Sequence, residues 1–257
     1  MVPRVLTIAG SDSGGGAGIQ ADLKAFAAAG CHGMSAIVAL TAQNTTGVTA
    51  VQEVPPEFVT AQLEAVFDDL GVDAAKTGML FSAATIDAVA DFLSEHPVPL
   101  VVDPVMVASS GARLLQDEAL GILVGRLFPL ATVVTPNLPE AEALVGEGLP
   151  YTLAERLVDL GAPAVVVTGG HATEPGDHLF DGEEHVEIPV KRHAVRATHG
   201  AGCTHSATLA ALLARGESLE AAARGAAKAA SRAVAQGLTD LGAGEGPVDV
   251  IGLRGAA

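Results

Sequence analysis

Short apolar runs rich in β-branched residues alternate along this chain with longer amphipathic segments, and no other feature constrains the fold as much. Six runs have the composition of buried strands: residues 5–9, 35–40, 72–76, 100–102, 132–135 and 164–168. Between them, residues 56–70, 82–95 and 117–127 have helical patterns, and Ser82 is placed to cap the second of these helices. The alternation predicts an α/β fold of three layers, with helices on both faces of a central, mostly parallel sheet.

Residues 177–190 depart from this alternation and have the pattern of a small β-hairpin, with Asp181-Gly182 at its turn. No repeat and no Pro/Ser-rich or like-charged linker interrupts the chain, so we expect a single domain over residues 1–257. Ligands of such folds gather beyond the carboxyl ends of the strands, so the residues that follow each strand are the candidates for function.

The charge of the chain excludes some classes of partner. With a formal net charge of −16, it would repel nucleic-acid phosphates and anionic lipid surfaces. The sequence has no signal-peptide pattern and no apolar run typical of a membrane span, and its two cysteines lack metal-site spacing. We therefore expect a cytoplasmic protein without nucleic-acid or membrane partners, in which any phosphate site depends on backbone amides, helix ends or a metal.

The segment Thr198-His199-Gly200-Ala201-Gly202-Cys203, which runs into an alanine-rich helical stretch, has the pattern of such a site. Its glycines expose backbone N–H groups, and the helix that follows adds the positive end of its dipole. We call residues 198–203 the anion-binding loop. Cys203 lies where that field is strongest, which should favour its thiolate and make it a candidate proton acceptor. An ordinary loop with a buried cysteine is the competing interpretation.

The loop at residues 10–18, after the first strand, is richer in glycine than one tight turn requires. Its Gly16-x-Gly18-x-x-Ala21 spacing formally matches a dinucleotide fingerprint, but no acid follows at the distance that would bind a ribose. The chain also lacks a Gly-Lys pair, which excludes a P-loop. The loop predicts close approach of backbone to a ligand, or otherwise a flexible connection.

Acidic residues follow two later strands: Asp103 in Asp103-Pro104-Val105-Met106, and Glu140 in Thr135-Pro136-Asn137-Leu138-Pro139-Glu140. If the two strands are neighbours, both carboxylates lie at one edge of the sheet, where they could share Mg²⁺ with a nucleotide. Each acid alone could instead cap a helix. Combined with the anion-binding loop and Cys203, the pair indicates phosphoryl transfer to a hydroxyl.

These motifs as a set resemble one family over nearly the whole chain. They comprise Thr7-Ile8-Ala9-Gly10-Ser11-Asp12 with residues 14–24, Thr41-Ala42-Gln43-Asn44-Thr45, Lys76-Thr77-Gly78-Met79, and residues 103–108, 135–140 and 198–206. The chain resembles the hydroxymethylpyrimidine/phosphomethylpyrimidine kinases of thiamine biosynthesis, which are ribokinase-like enzymes. The resemblance implies a ribokinase-like fold, a homodimer, ATP and Mg²⁺ as cofactors, and two successive phosphorylations of an aminopyrimidine.

The resemblance also implies roles for individual residues. Gln43 would recognise the ring nitrogen and amino group of the aminopyrimidine, because an amide both donates and accepts. Cys203 would be the catalytic base, and the amides of Gly200, Ala201, Gly202 and Cys203 would form the anion hole. The remaining assignments are Gly10, Ala17, Asp22, Met79 and Val107 in the substrate pocket; Asp103, Asn137 and Glu140 at the metal; and Thr168, Gly170, Thr198 and Lys228 at the nucleotide.

Three positions depart from the family pattern. Ala201 replaces a threonine between the glycines, Thr168 stands where a lysine is common, and His205 stands where a leucine is typical. The missing lysine leaves one fewer positive charge for ATP phosphates. Lys228 has a second interpretation as a solvated lysine on the last long helix.

Three other functions compete with the aminopyrimidine kinase. A pyridoxal or pyridoxine kinase acts on a similar heteroaromatic ring with a hydroxymethyl group. A non-catalytic sensor of pyrimidine precursors would not need Cys203, Asp103 and Glu140, and an oxidoreductase would need the missing ribose acid.

Overall fold

The computed structural model describes residues 1–107, 111, 114–116, 118–169 and 176–255. In chain order its elements are β1 (Arg4–Asp12), α1 (Gly18–Ala28), β2 (His32–Asn44), β3 (Gly47–Glu53), α2 (Pro56–Asp69), β4 (Ala74–Thr77), α3 (Ala83–Glu95), β5 (Leu100–Val102), α4 (Ala119–Ile122), β6 (Val133–Val134), α5 (Leu138–Val145), α6 (Pro150–Asp159), β7 (Val165–Val167), β8 (Gly176–Phe180), β9 (His185–Pro189), α7 (Ala201–Ala214) and α8 (Leu219–Ala235).

The strands of the described residues form one sheet in the order β3-β2-β1-β4-β5-β6-β7-β8-β9. The six central strands, β2, β1, β4, β5, β6 and β7, are parallel. At one edge β3 pairs antiparallel with β2, and at the other edge β8 and β9 pair antiparallel. The predicted mostly parallel sheet is therefore confirmed. The β8–β9 pair is the predicted hairpin, and Asp181-Gly182 lies in its turn.

Two elements differ from the sequence-based prediction. The strand β3 was not predicted, because its seven residues begin with glycine and lie at a sheet edge, without the apolar run of a buried strand. The helix predicted at 117–127 is instead α4, a π-helical turn over Leu123–Leu127 and a 3₁₀ turn over Phe128–Leu130; residue 117 lies outside the described residues.

Alternate residues of the central strands pack into two separate apolar layers. Leu6 and Val102 face the layer formed with α2, α3 and α6, whereas Val5 and Val101 face the layer formed with α1, α7 and α8. Buried alanines dominate the contact between α7 and α8, namely Ala207, Ala210, Ala211, Ala222, Ala223 and Ala226. Small side chains permit close packing, and α7 contacts β1, β4 and β5 directly.

Among the residues that the structure describes, no helix combines the length and apolar composition that crossing a membrane requires.

Candidate active site

A cavity of about 810 Å³ opens along the carboxyl edge of the sheet. Its walls come from the loop after β1, the ends of β2 and β4 to β7, the first turn of α7, and one side of α8. The site residues predicted from the sequence that line it are Gly10, Ala17, Gln43, Met79, Asp103, Val107, Asn137, Glu140, Thr168, Thr198, Gly200, Ala201, Gly202 and Cys203. These residues are far apart in the chain, and the fold brings nearly all of the predicted positions to one cavity.

The glycine-rich loop after β1 is held in place by the side chain of Asp12. One carboxylate oxygen accepts the N–H of Gly14 at 2.8 Å, and the other accepts those of Gly16 and Ala17 at 3.0 and 2.8 Å. His199 Nε2 lies 3.0 Å from the same Asp12 oxygen. Burial opposes ionisation of Asp12, yet the contacts with His199 and these amides keep its pKa below the usual value. The loop is therefore a fixed wall rather than a flexible connection.

Gln43 presents its side-chain amide near one end of the cavity, at the end of β2. Its Oε1 accepts a hydrogen bond from Thr41 Oγ1 at 3.1 Å, and its Nε2 lies 3.5 Å from His199 Nε2. The pairing of β2 with β3 shifts register between Ala42 and Gln43. Such a bulge redirects the following side chain. Asp12 and His199, to which the sequence analysis gave no individual role, thus position both Gln43 and the loop opposite.

Asp22 does not line the cavity, contrary to the prediction from the resemblance. It is fully buried on the face of α1 toward the sheet, where both of its oxygens contact Lys76 Nζ at 3.0 and 2.9 Å. Thr7 Oγ1 donates to Asp22 at 2.6 Å. Asp22 therefore lies behind the wall, and the charge that reaches the cavity belongs to Lys76.

Lys76 is a functional candidate that the sequence analysis did not assign. Its Nζ lies 4.0 Å from Asp103 Oδ2. Burial opposes its charge, but the carboxylate of Asp22, with Cys203 and Asp103, raises the pKa of Lys76 above its ordinary value. The side chain is thus a permanent buried cation. The signal was available, because a lysine inside a buried strand requires a partner.

The anion-binding loop leads into α7 through Gly200, whose φ is +84°. A Cβ at Gly200 would lie 1.8 Å from the carbonyl oxygen of Gly16, so only glycine fits where the two loops meet. The N–H of Ala201 donates to Thr198 O at 3.0 Å and is not available to a ligand, which corrects the predicted anion hole. Within the described residues, the N–H groups of Gly202 and Cys203 donate to no protein acceptor, and a Cβ at Gly202 would meet open space.

Cys203 does not carry the preformed thiolate that the sequence predicted. Burial raises the pKa of its thiol to about 12, outweighing the charge of Lys76 and the backbone amide of Gly18. In the ligand-free protein these contributions favour the thiol over the thiolate near neutral pH. If Cys203 is the base, its thiol must lose its proton after bound ligands have changed the local charge.

Asp103 directly follows β5, and Glu140 lies in the first turn of α5, which follows the neighbouring strand β6, so both acids are at the carboxyl edge of the sheet as predicted. Burial, together with the charge of Asp103, raises the pKa of Glu140 to about 8. Asn137 and Glu140 also form a capping box on α5, each side chain bonding the other residue's backbone N–H at 2.9 Å. The alternative capping interpretation thus holds for Glu140, and Asn137 Oδ1 is already engaged.

The donor set suits a hard divalent cation. Ser206 Oγ donates to Asp103 Oδ2 at 2.8 Å, which leaves the second oxygen of Asp103 for a cation. The Glu140 carboxylate accepts the Asn137 N–H and is also contacted by the amide of Met106, which a cation would have to displace or share. Two carboxylates that raise each other's proton affinity are relieved by a shared positive charge. The described residues contain no cluster of three acidic, histidine or cysteine ligands, so phosphate and water would complete the coordination.

Thr168, which directly follows β7, and Thr198, which precedes His199, also line the cavity. Gly170 lies outside the described residues. Lys228 is exposed and does not line the cavity; it borders an adjoining depression with Arg224 and Lys191, which favours its interpretation as a solvated lysine.

One side of the cavity was not predicted. It consists of Lys191, Arg192, His193 and Val195 with Ala227, Ala230 and Val234 of α8. Three cations within residues 191–196, in a chain of net charge −16, were the signal that could have located it. Basic side chains beside a small apolar surface suit a phosphate group attached to a flat ring.

A fixed anion-binding turn, a buried lysine and two carboxylates at the carboxyl edge of this sheet define a small-molecule kinase of the ribokinase-like class. A family model described as phosphomethylpyrimidine kinase matches residues 12–249, and the chain belongs to that family.

Similar proteins agree with this assignment. The chain is 50% identical over 258 residues to the hydroxymethylpyrimidine/phosphomethylpyrimidine kinase of Rhizobium meliloti, covering 96% of this chain and 97% of that protein. It is also 50% identical to the thiamine biosynthesis bifunctional protein ThiED of Geobacter sulfurreducens, covering 96% of this chain but spanning only 52% of that longer protein. Among solved structures, an ADP complex of Bacillus subtilis pyridoxal kinase superimposes with a TM-score of 0.90 at 38% identity, covering 99% of each chain.

The raised pKa of Glu140 gives the first testable prediction. A carboxyl whose folded pKa exceeds its unfolded value stabilises the protein at low pH and loses that contribution as pH rises. The free energy of unfolding should therefore decrease as the pH rises from 4.5 to about 8. The part of this decrease that comes from Glu140 should be absent in Glu140→Gln. Urea titrations across this range measure the difference, with exposed Glu147→Gln as the control. Parallel pH profiles of the wild type and Glu140→Gln would contradict the assignment.

Proposed function

We propose that this protein phosphorylates hydroxymethylpyrimidine to its monophosphate and then to the diphosphate, in thiamine biosynthesis. The observation that carries this proposal is the placement of Gln43 and the anion-binding loop in one cavity, linked through His199. An aminopyrimidine offers a ring nitrogen and an amino group side by side, and the amide of Gln43 pairs with both. The family assignment and the function named for the Rhizobium meliloti relative support the same substrate.

The phosphate donor is ATP, bound at the end of the cavity formed by Thr168, residues 190–195 and α8. Ala227, Ala230 and Val234 offer an apolar surface that would hold the adenine ring, and Lys191 and Arg192 would attract the phosphates. The ADP complex of the similar pyridoxal kinase supports a nucleotide at this fold. Asp103 and Glu140 hold Mg²⁺, which neutralises phosphate charge when bound.

The residues of this chain then contribute positioning and charge. The N–H groups of Gly202 and Cys203 would donate hydrogen bonds to the oxygens of the transferring phosphate, on which negative charge develops. Lys76 adds a fixed positive charge behind them, held by Asp22. Once its own proton has passed to solvent, Cys203 accepts as a thiolate the proton of the acceptor hydroxyl, late in the transfer, when the hydroxyl has become acidic.

Phosphorus NMR of the purified protein with ATP, Mg²⁺ and one acceptor tests this function directly. Hydroxymethylpyrimidine should give a monophosphate followed by a diphosphate. Pyridoxal is the second acceptor to try, because the similar Bacillus subtilis structure is a pyridoxal kinase. Formation of pyridoxal phosphate alone would identify a pyridoxal kinase instead. The absence of product from either acceptor would favour a non-catalytic sensor of pyrimidine precursors.

Gln43→Leu should weaken binding of hydroxymethylpyrimidine by roughly 1–3 kcal/mol, because the polar edge of the ring loses its partner. Isothermal titration of the acceptor measures the loss, and the affinity for ADP should not change. Gln236→Leu, at the exposed C-terminal cap of α8 and outside the cavity lining, is the matched control. An unchanged acceptor affinity in Gln43→Leu would remove this residue from the site.

We also propose a single kinase domain over residues 1–257, a homodimer and a cytoplasmic location. One continuous sheet from the first strand to the last supports the single domain. The unpaired edge of β3 and the exposed Leu40 and Phe58 offer apolar surface for a second copy. Sedimentation equilibrium tests the dimer. The two cysteines, Cys31 and Cys203, are both free, in keeping with a reducing compartment.

A further inference from the structure

His205 is a buried titratable side chain that the mechanism above does not use. It lies on α7, lines the cavity, and is only 4% exposed. Neither of its ring nitrogens has a hydrogen-bond partner among the described residues. A buried polar group without a hydrogen bond is costly, so a histidine at a position where the family pattern has leucine points to a ligand in the cavity.

The position of His205 is fixed from both sides. Its Nε2 lies 3.1 Å from Asp177 Oδ2, although the ring is not oriented for a hydrogen bond. Asp177 is itself held by the N–H of Gly169 at 3.2 Å, beside Thr168 at the end of β7. On the other side, Asp103 interacts electrostatically with His205. With Asp177 on one ring nitrogen, the other nitrogen is left to carry an N–H toward a ligand.

Helix geometry places this imidazole beside the anion-binding turn. His205 follows Gly202 by three residues, so the two share one face of α7, and helical side chains lean toward the N-terminus. The side chain therefore lies over the turn whose Gly202 N–H is free. Thr135, on the neighbouring strand end, also lines the cavity and carries a buried hydroxyl without a hydrogen-bond partner. Two unpartnered polar groups at one end of a cavity indicate a polar ligand there.

We propose that His205 is a phosphate ligand of the bound nucleotide, positioned by Asp177, and that it donates an N–H to a phosphate oxygen. This inference rests on the proposed nucleotide-dependent kinase activity. Thr168, after β7, stands where the family commonly has a lysine. His205 would supply a hydrogen-bond donor to the phosphates near that position. The transferring phosphate still lies at the N–H groups of Gly202 and Cys203, and His205 binds nearer the nucleoside.

Isothermal titration of ADP and adenosine against the wild type, His205→Leu and His205→Gln tests the proposal. A hydrogen bond to a charged group predicts that His205→Leu weakens ADP binding about tenfold or more and leaves adenosine binding unchanged. Glutamine keeps an N–H donor, so His205→Gln should recover part of the ADP affinity. His32→Gln, an exposed histidine at the start of β2, is the control.

Equal losses for ADP and adenosine, or no loss for either, would overturn the proposal and leave His205 as a structural residue. If His205→Leu does not fold, nitrogen NMR of the imidazole in the wild type decides: its ring signals should shift with ADP and not with adenosine, and unmoved signals would refute the contact. If the wild type itself does not bind ADP, the proposed kinase function is contradicted as well. Failure of the His205 contact alone is therefore distinguishable from failure of the kinase function.

Discussion

Replacement of Lys76 by methionine should lower the free energy of unfolding by about 3–5 kcal/mol, one of the two largest effects expected in this protein. Methionine fits the space but leaves Asp22 buried without its cation, and removal of one partner of a buried ion pair is strongly destabilising. Both side chains are fully buried, and the two atoms in closest contact are 2.9 Å apart. Urea denaturation followed by circular dichroism measures the loss.

A double variant separates the unpaired charge from the loss of packing. Lys76→Met combined with Asp22→Asn removes both charges of the pair, and the introduced amide can still accept the hydrogen bond from Thr7, so part of the stability should return. The recovery should be incomplete, because Asp103, 4.0 Å from Lys76 Nζ, also loses its cation. Arg126→Met is the surface control, because Arg126 and Asp87 form an exposed pair worth at most about 1 kcal/mol. A cost for Lys76→Met as small as that of Arg126→Met would show that the buried pair does not stabilise the fold.

Cys203→Ala should reduce turnover by at least about a hundredfold if the sulfur is the general base. The substitution leaves the backbone N–H of residue 203 in place, so binding of ADP should change little. Comparison of turnover with ADP affinity therefore distinguishes proton transfer from phosphate binding. Near-normal turnover in Cys203→Ala would exclude the sulfur as the base while retaining the anion-binding loop. Cys31→Ala, at a buried cysteine outside the cavity, is the control.

The ionisation of this thiol is measurable on its own. Because burial raises the pKa of Cys203 to about 12, the ligand-free protein should react slowly with iodoacetamide near neutral pH. The rate should rise with pH without a plateau near neutrality, and Cys203→Ala supplies the background from Cys31. Rapid alkylation at neutral pH would instead restore the thiolate predicted from the helix terminus.

The sequence predicted the layers of this fold because strand and helix periodicities are local properties. The runs at residues 5–9 and 100–102 are buried strands, as expected. Adjacency of Asp103 and Glu140 also followed from the sequence, since the carboxyl ends of neighbouring parallel strands meet at one edge. The strand β3 escaped prediction, because an edge strand needs no continuous apolar run.

Features that depend on distant contacts could not be predicted in the same way. Asp22 and Lys76 are 54 residues apart in the chain, and only the packing of α1 against the sheet brings them together. The occupied amide of Ala201 results from the detailed turn of the backbone, and the protonated state of Cys203 results from burial. Each is a property of the assembled core rather than of any motif.

Within five consecutive residues of α7 lie the free amide of Gly202, the sulfur of Cys203, the imidazole of His205 and the hydroxyl of Ser206 that holds Asp103. Gln43 is carried separately, on β2 near the sheet edge. The residue proposed to bind the acceptor and the residues proposed to transfer the phosphate therefore lie on different elements, so a substitution at the end of β2 can change acceptor binding while the first turn of α7 keeps its backbone.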